Sequence, residues 1–228
     1  MLPEPIKKLP GVHSALLTAT WMQFRYFDWR HNVRTTGDMS VADMDAVTED
    51  TARTNHYHPS HPRSGRRILS QMPIEEHSRY TFIDLGSGKG LMLLLAAEYP
   101  YHAVRGVEFS RKLHNVAAHN IASYRNGHQR CFDVQSVNVD ARAYEFPLTP
   151  LVVYMYNPFR HELLDHVLKN LDASIAAAPR DVVVVYMNPL DAYLFKNVRH
   201  LQETPLTPVE GSRVYRSMSA VNGTTGRR

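Results

Sequence analysis

The stretch Phe82–Gly90, FIDLGSGKG, sets an apolar run directly before three glycines that alternate with Ser87 and Lys89. Its reading is a strand over Tyr80–Leu85, a bare turn over Gly86-Ser87-Gly88-Lys89-Gly90, and a helix from Leu91 to Glu98. Missing side chains let a backbone approach a bound ligand closely. Free N–H groups at a helix start favour an anionic group. Two phosphate-binding patterns fail here. A P-loop needs Ser or Thr after its lysine, and Lys89 is followed by Gly90; a dinucleotide fingerprint counted from Gly86 would need glycine at 91, which is Leu91. The pattern present is D-x-G-x-G-x-G, beginning at Asp84.

From Tyr80 onward, short apolar runs alternate with helical ones. Strands are expected at Tyr80–Asp84, Ala103–Val107, Val134–Val139, Leu151–Tyr156 and Val182–Met187, and helices at Gly88–Glu98, Ser110–Tyr124 and Arg160–Ala177. Leu113, Val116, Ala117, Ile121 and Tyr124 share one face of the second helix. Near-continuous apolar strands such as LVVYMY and VVVVYM suit a parallel sheet covered on both sides. The alternation therefore predicts an α/β, doubly wound, mostly parallel sheet with helices on both faces. Two further strands are expected between Phe195 and Ser217.

Upstream, His13–Trp29 reads as a helix, as does the stretch from Ser40 to Thr54, where Ser40 and Asp43 have capping-box spacing. Asn55–Arg67 reads as a loop in its first half, and Arg66–Met72 as a short helix. Residues 1–54 are expected to form a helical extension or lid, 55–217 the main domain and 218–228 a tail.

The 228 residues, 43% hydrophobic and 21% charged, are enough for one domain with a real core. A net charge of +4 permits acidic partners without demanding nucleic acid. A lone Cys131 excludes a disulfide framework and a multi-cysteine zinc site and fits a reducing, cytoplasmic compartment. No apolar run is long enough to span a membrane. His56, His58 and His61 form HxHxxH, but two prolines interrupt them and a fourth ligand is lacking, so no metal is expected.

Glu108 ends the second strand, 18 residues beyond Gly90, where a carboxylate can accept hydrogen bonds from both hydroxyls of a ribose. On these residues the sequence resembles the class I S-adenosylmethionine-dependent methyltransferases. Asp84, Gly86, Gly88 and Gly90 match that family's first motif, and Glu108 in VRGVEFS its ribose-binding acid. VNVDARAYEFP resembles its third motif, with Asp140 and Ala141 at the adenine; YNPF, Tyr156–Phe159, falls where its fourth lies. The resemblance covers roughly residues 55–217. It implies a seven-stranded Rossmann-like sheet, S-adenosyl-L-methionine as cofactor, and a cofactor site of Tyr57, Asp84, Gly86, Ser87, Gly88, Gly90, Glu108, Asp140, Ala141 and Asn157. Asn157, Pro158 and Phe159 are its implied catalytic residues. Amino-methylating members carry Asn or Asp, two prolines and an aromatic, and here the second proline is missing.

The implied acceptor is an unidentified nucleophile on a small molecule or protein, with nitrogen preferred through Asn157. Nucleic acid is possible but not favoured. His161 is a candidate general base, and Asn188-Pro189 reads as a turn. Two other readings stay open: an NAD-dependent oxidoreductase on a related fold, and a non-catalytic RNA-binding module. The aromatic-rich region Trp21–Trp29 can be core or interface, and the sequence leaves the oligomeric state undecided.

Overall fold

The computed structural model describes residues 10–38, 60–205 and 211–218. Seven strands form one sheet: β1 (Thr81–Leu85), β2 (Ala103–Glu108), β3 (Val134–Asn138), β4 (Leu151–Tyr156), β5 (Val182–Met187), β6 (Leu201–Glu203) and β7 (Ser212–Ser217). Their order is β3-β2-β1-β4-β5-β7-β6. The first five are parallel, while β7 runs antiparallel to both β5 and β6. The chain steps outward from β1 to β3, then returns to lay β4 beside β1. That reversal creates a crevice beyond the carboxyl ends of β1 and β4, where open α/β sheets bind ligands.

The helices are α1 (Pro10–His31), α2 (Pro62–Ser70), α3 (Leu91–Ala96), α4 (Arg111–Ser123) and α5 (His161–Ala177). Alternation along the strands divides the interior in two. Phe82, Val152, Tyr154, Val183 and Val185 join a core with α2, α3 and Phe27 of α1. Ile83, Leu85, Val153, Met155, Val182, Val184 and Tyr186 join a second core with α5. Both faces of the central strands are thus covered, which is why they read as unbroken apolar runs.

The expected strands all form, with ends shifted by no more than one residue. Larger differences lie in the helices. The helix read as Arg66–Met72 begins at Pro62, because a proline suits the first helical turn and His61 caps it, its Nδ1 accepting from the Arg63 N–H at 3.1 Å. α3 is shorter than expected, ending at Ala96. The face of α4 turned to the protein includes Asn120, fully buried and absent from the apolar pattern. The expected helix over Ser40–Thr54 lies outside the described residues, as do Tyr57, His56 and His58.

Gly106, inside β2, sets how closely the glycine turn and α3 approach the sheet. A Cβ there would stand 2.6 Å from both Leu93 Cδ1 and Ser87 Oγ. Forcing a methyl into a packed interior costs about 1–3 kcal/mol. Gly106→Ala should therefore lower stability in urea unfolding by roughly 1–3 kcal/mol despite the better strand propensity of alanine.

Candidate functional site

The turn predicted from FIDLGSGKG is clamped from both neighbouring strands. Gly86 takes a left-handed φ of 76°. A Cβ on it would lie 2.5 Å from Pro158 Cβ, so its bareness serves the contact with the segment after β4. The N–H groups of Gly86 and Ser87 both donate to the Val107 carbonyl, at 2.9 and 3.1 Å. Gly90, at φ 83°, is the N-cap of α3. The Gly88 N–H donates to Glu108 Oε2 at 2.8 Å, and the Ser110 N–H to Oε1 at 2.9 Å. Ser110 caps α4 by accepting from the Leu113 N–H. Glu108 therefore joins the glycine turn to the start of α4.

Asp84 lies beside this arrangement at the end of β1, 4% exposed. Among the described residues no hydrogen bond reaches its carboxyl. Burial, and then the nearby Glu108 charge, push its pKa up to about 8. Among the described residues Ser87 Oγ is likewise buried without a hydrogen-bond partner. Behind them the Tyr154 hydroxyl meets Ser60 Oγ at 3.0 Å, which brings the end of the upstream loop over β4.

The third predicted motif is more self-contained. Asp140 accepts from the Arg142 backbone N–H at 2.8 Å and from its guanidinium Nε at 3.0 Å, capping the short turn Ala141–Ala143. Burial raises the Asp140 carboxyl, but Arg142 outweighs it and holds the pKa below the usual value. Ala141 is buried in the α5-side core.

After β4, Asn157 is buried and left-handed, at φ 41°, and Asn188 after β5 repeats that conformation at φ 48°. The Tyr186 hydroxyl pairs with Asn157 Oδ1 at 2.9 Å and accepts the Asp191 N–H at 3.4 Å. Buried Asp191 in turn holds His161 Nδ1 at 3.0 Å, and Tyr193 Oη lies 2.7 Å from that nitrogen. Asn157 and His161 thus sit at two ends of one polar chain along the edge of β4 and β5. Phe159 packs into the α5-side core instead of standing open, whereas Tyr156, the first residue of the YNPF motif, is 40% exposed at the end of β4.

A second group missed by the sequence reading comes from the segment after α1. Asp28 accepts from the N–H and hydroxyl of both Thr35 and Thr36. Asn120 pairs with the backbone of Arg34, accepting its N–H at 2.7 Å and donating to its carbonyl at 3.2 Å, and also donates to Lys89 O at 2.8 Å. Lys89 Nζ donates to the carbonyls of Thr36 and Gly37 at 2.8 and 2.7 Å. The turn's lysine therefore ties the upstream segment to the glycine turn. Burial lowers its pKa against the pull of Asp28 and Asp38. Among the described residues no cluster of His, Cys, Asp or Glu could hold a metal, and no helix is long and apolar enough to cross a membrane.

Asp84 gives the free protein a signed pH dependence. Its folded pKa lies above its ordinary 3.8, so between about 4 and 8 the folded chain keeps a proton that the unfolded chain has released. Its contribution to stability is full below that window and is lost as pH rises through it. In urea unfolding from pH 5 to 8, Asp84→Asn should gain on the unaltered protein steadily with pH; parallel curves would contradict the burial assigned to Asp84.

No family model matches the chain, and no curated protein matches it by sequence. Solved structures do. A predicted N6-adenine-specific DNA methylase from Listeria monocytogenes superposes with a TM-score of 0.50 at 12% identity, over 70% of this chain and 51% of that one. The chain thus spans about half of that protein's length. A ribosomal protein L11 methylase from Lactobacillus delbrueckii gives 0.48 at 15% identity, over 69% and 78% of the two chains. An RNA methyltransferase from Salinibacter ruber, solved with S-adenosyl-L-homocysteine, gives 0.44 at 19% identity, over 70% and 92%. What the chain shares with the Listeria protein is the fold, a seven-stranded Rossmann-like sheet of the kind found in methyltransferases.

Proposed function

We propose that the protein is an S-adenosyl-L-methionine-dependent methyltransferase whose acceptor is a nitrogen nucleophile on a small molecule or protein. The observation that carries this reading is Asp84: a carboxyl buried at the crevice, beside the glycine turn, with no hydrogen bond to its side chain among the described residues. Such a group is suited to receive a cationic ligand, since an opposite charge favours its ionised form. Glu108, one strand away, would receive the ribose hydroxyls, and among the described residues the Ser87 hydroxyl is a second unpartnered group at the same turn. S-adenosyl-L-methionine fits this donor and acceptor set, and when bound it supplies a methyl group already activated for transfer.

The protein's own work is positioning. Asp84 would hold the ligand's amino-acid end; Gly86, Gly88 and Gly90 shape the backbone beneath it; Ala141 and Asp140 would border the base. Tyr57 is the proposed upstream contact to the methionine end. On the acceptor side, Tyr186 donates to Asn157 Oδ1 and so fixes the orientation of the side chain that would face a target N–H. Pro158 holds that strand end against Gly86, and Phe159 anchors it from the core. His161, oriented by buried Asp191, would accept the proton that the acceptor loses.

Calorimetry with S-adenosyl-L-methionine tests the cofactor reading directly. At pH 7 Asp84 is mostly protonated in the free protein, with its pKa near 8, so a bound cation should expel part of a proton. The binding enthalpy should differ between phosphate and Tris buffers, and Asp84→Asn should remove the difference. Glu108→Gln should weaken binding by about 1–3 kcal/mol. Absence of binding by the unaltered protein would overturn the assignment. Once an acceptor is found by labelling a cell extract, Asn157→Ala should reduce turnover more than cofactor affinity.

A further inference from the structure

α1 carries ring side chains on two opposite sides. Phe24, Phe27 and His31 face the body of the protein, where Phe27 joins the core and His31 packs on Tyr124 at 5.3 Å. The opposite side, at helical spacing, presents Trp21, Met22, Arg25, Tyr26, Trp29 and Arg30. Trp21, Tyr26 and Trp29 are 58, 62 and 76% exposed. Arg25 lies over the Trp21 ring at 5.7 Å, and the rings of Tyr26 and Trp29 are 5.9 Å apart. A helix apolar on both sides ordinarily has both covered.

The charges on this face narrow what covers it. The only acid in α1 is Asp28, which is buried and turned to Thr35 and Thr36. Arg25 and Arg30 are exposed on the ring-bearing face, and Arg34 and Arg125 are exposed around its carboxyl-terminal end. A second copy packed face to face by two-fold symmetry would bring Arg25 and Arg30 against a surface of the same positive sign. A lipid surface calls for an apolar face set apart from a basic one, whereas here Arg25 and Arg30 stand among the rings themselves. Flat exposed rings interleaved with arginines suit a strand whose bases stack and whose phosphates are anionic.

We propose that the outer face of α1 binds single-stranded nucleic acid, with Trp21, Tyr26 and Trp29 as stacking platforms and Arg25 and Arg30 as phosphate partners. The face is independent of the methyl-transfer reading: it needs neither cofactor nor turnover. Through Thr36 and Gly37 the same segment reaches Lys89 in the glycine turn, so a strand held on α1 lies on the element that borders the crevice.

The chain's two tryptophans are Trp21 and Trp29, so intrinsic tryptophan fluorescence reports this face alone. Adding a short single-stranded oligouridylate to the full chain at low salt should quench that emission. Affinity for a fluorescein-labelled oligouridylate, followed by anisotropy, should fall steeply between about 50 and 200 mM salt. The double variant Trp21→Ala, Trp29→Ala should bind roughly tenfold or more weakly. Arg25→Glu with Arg30→Glu should weaken binding and flatten the salt slope. An abasic strand of the same length should bind less well than oligouridylate. All positions are exposed, and unchanged circular dichroism of the variants secures their folding. The proposal is overturned if oligouridylate leaves the emission unchanged, or if the abasic strand binds as tightly and the tryptophan variant is unaffected. It is equally overturned if sedimentation shows that the face closes on a second copy, or if phosphatidylglycerol vesicles quench the emission while oligouridylate does not.

Discussion

The carboxylate of Glu108 is the fixed point of this protein. One oxygen takes the Gly88 N–H and the other the Ser110 N–H, so a single side chain at the end of β2 sets both the path of the glycine turn and the start of α4. Backbone donors in a turn and at a helix start otherwise need water or a ligand. With them engaged from one side, and Pro158 pressed on Gly86 from the other, the turn is held before any ligand arrives. Pre-organisation of this kind reduces the ordering that binding would otherwise demand.

Asp84 occupies the contrasting position. It is a neighbouring carboxyl in the same crevice to which no hydrogen bond comes among the described residues, and burial, with the Glu108 charge beside it, retains its proton towards neutral pH. One acid organises the backbone; the other, among the described residues, takes no hydrogen bond at all. A buried polar group left without partners ordinarily costs stability, and such groups gather where binding restores what folding leaves out.

The centre of the sheet was legible because β4 and β5 obey one rule. Fully covered parallel strands are apolar at every position, so LVVYMY and VVVVYM mark β4 and β5 at their observed bounds. The glycine turn was legible because it breaks that pattern abruptly. What the sequence concealed depends on contacts across long separations. Asn120 sits within an apolar helical pattern yet serves the backbone of Arg34, 86 residues away. Lys89 looks like a phosphate lysine, but its ammonium is directed to carbonyls more than fifty residues upstream. Gly86 reads as room for a ligand, whereas its left-handed turn and the Pro158 ring are what require it. Asp191 follows an ordinary Asn-Pro turn, and its hold on His161 exists only once β4 and β5 lie side by side. Local periodicity reveals which faces are covered; pairings between polar groups distant in sequence leave no local trace.

The bonds from Arg34, Thr36 and Gly37 to Asn120 and Lys89 also set an order of assembly. Synthesis runs from the amino end, so these upstream residues leave the ribosome before the side chains that will hold them exist. Asp28 can gather Thr35 and Thr36 at once, since that contact spans seven or eight residues and closes cheaply. The rest must wait for β1, the glycine turn and α4, so the first part of the rim to be made is the last to be seated.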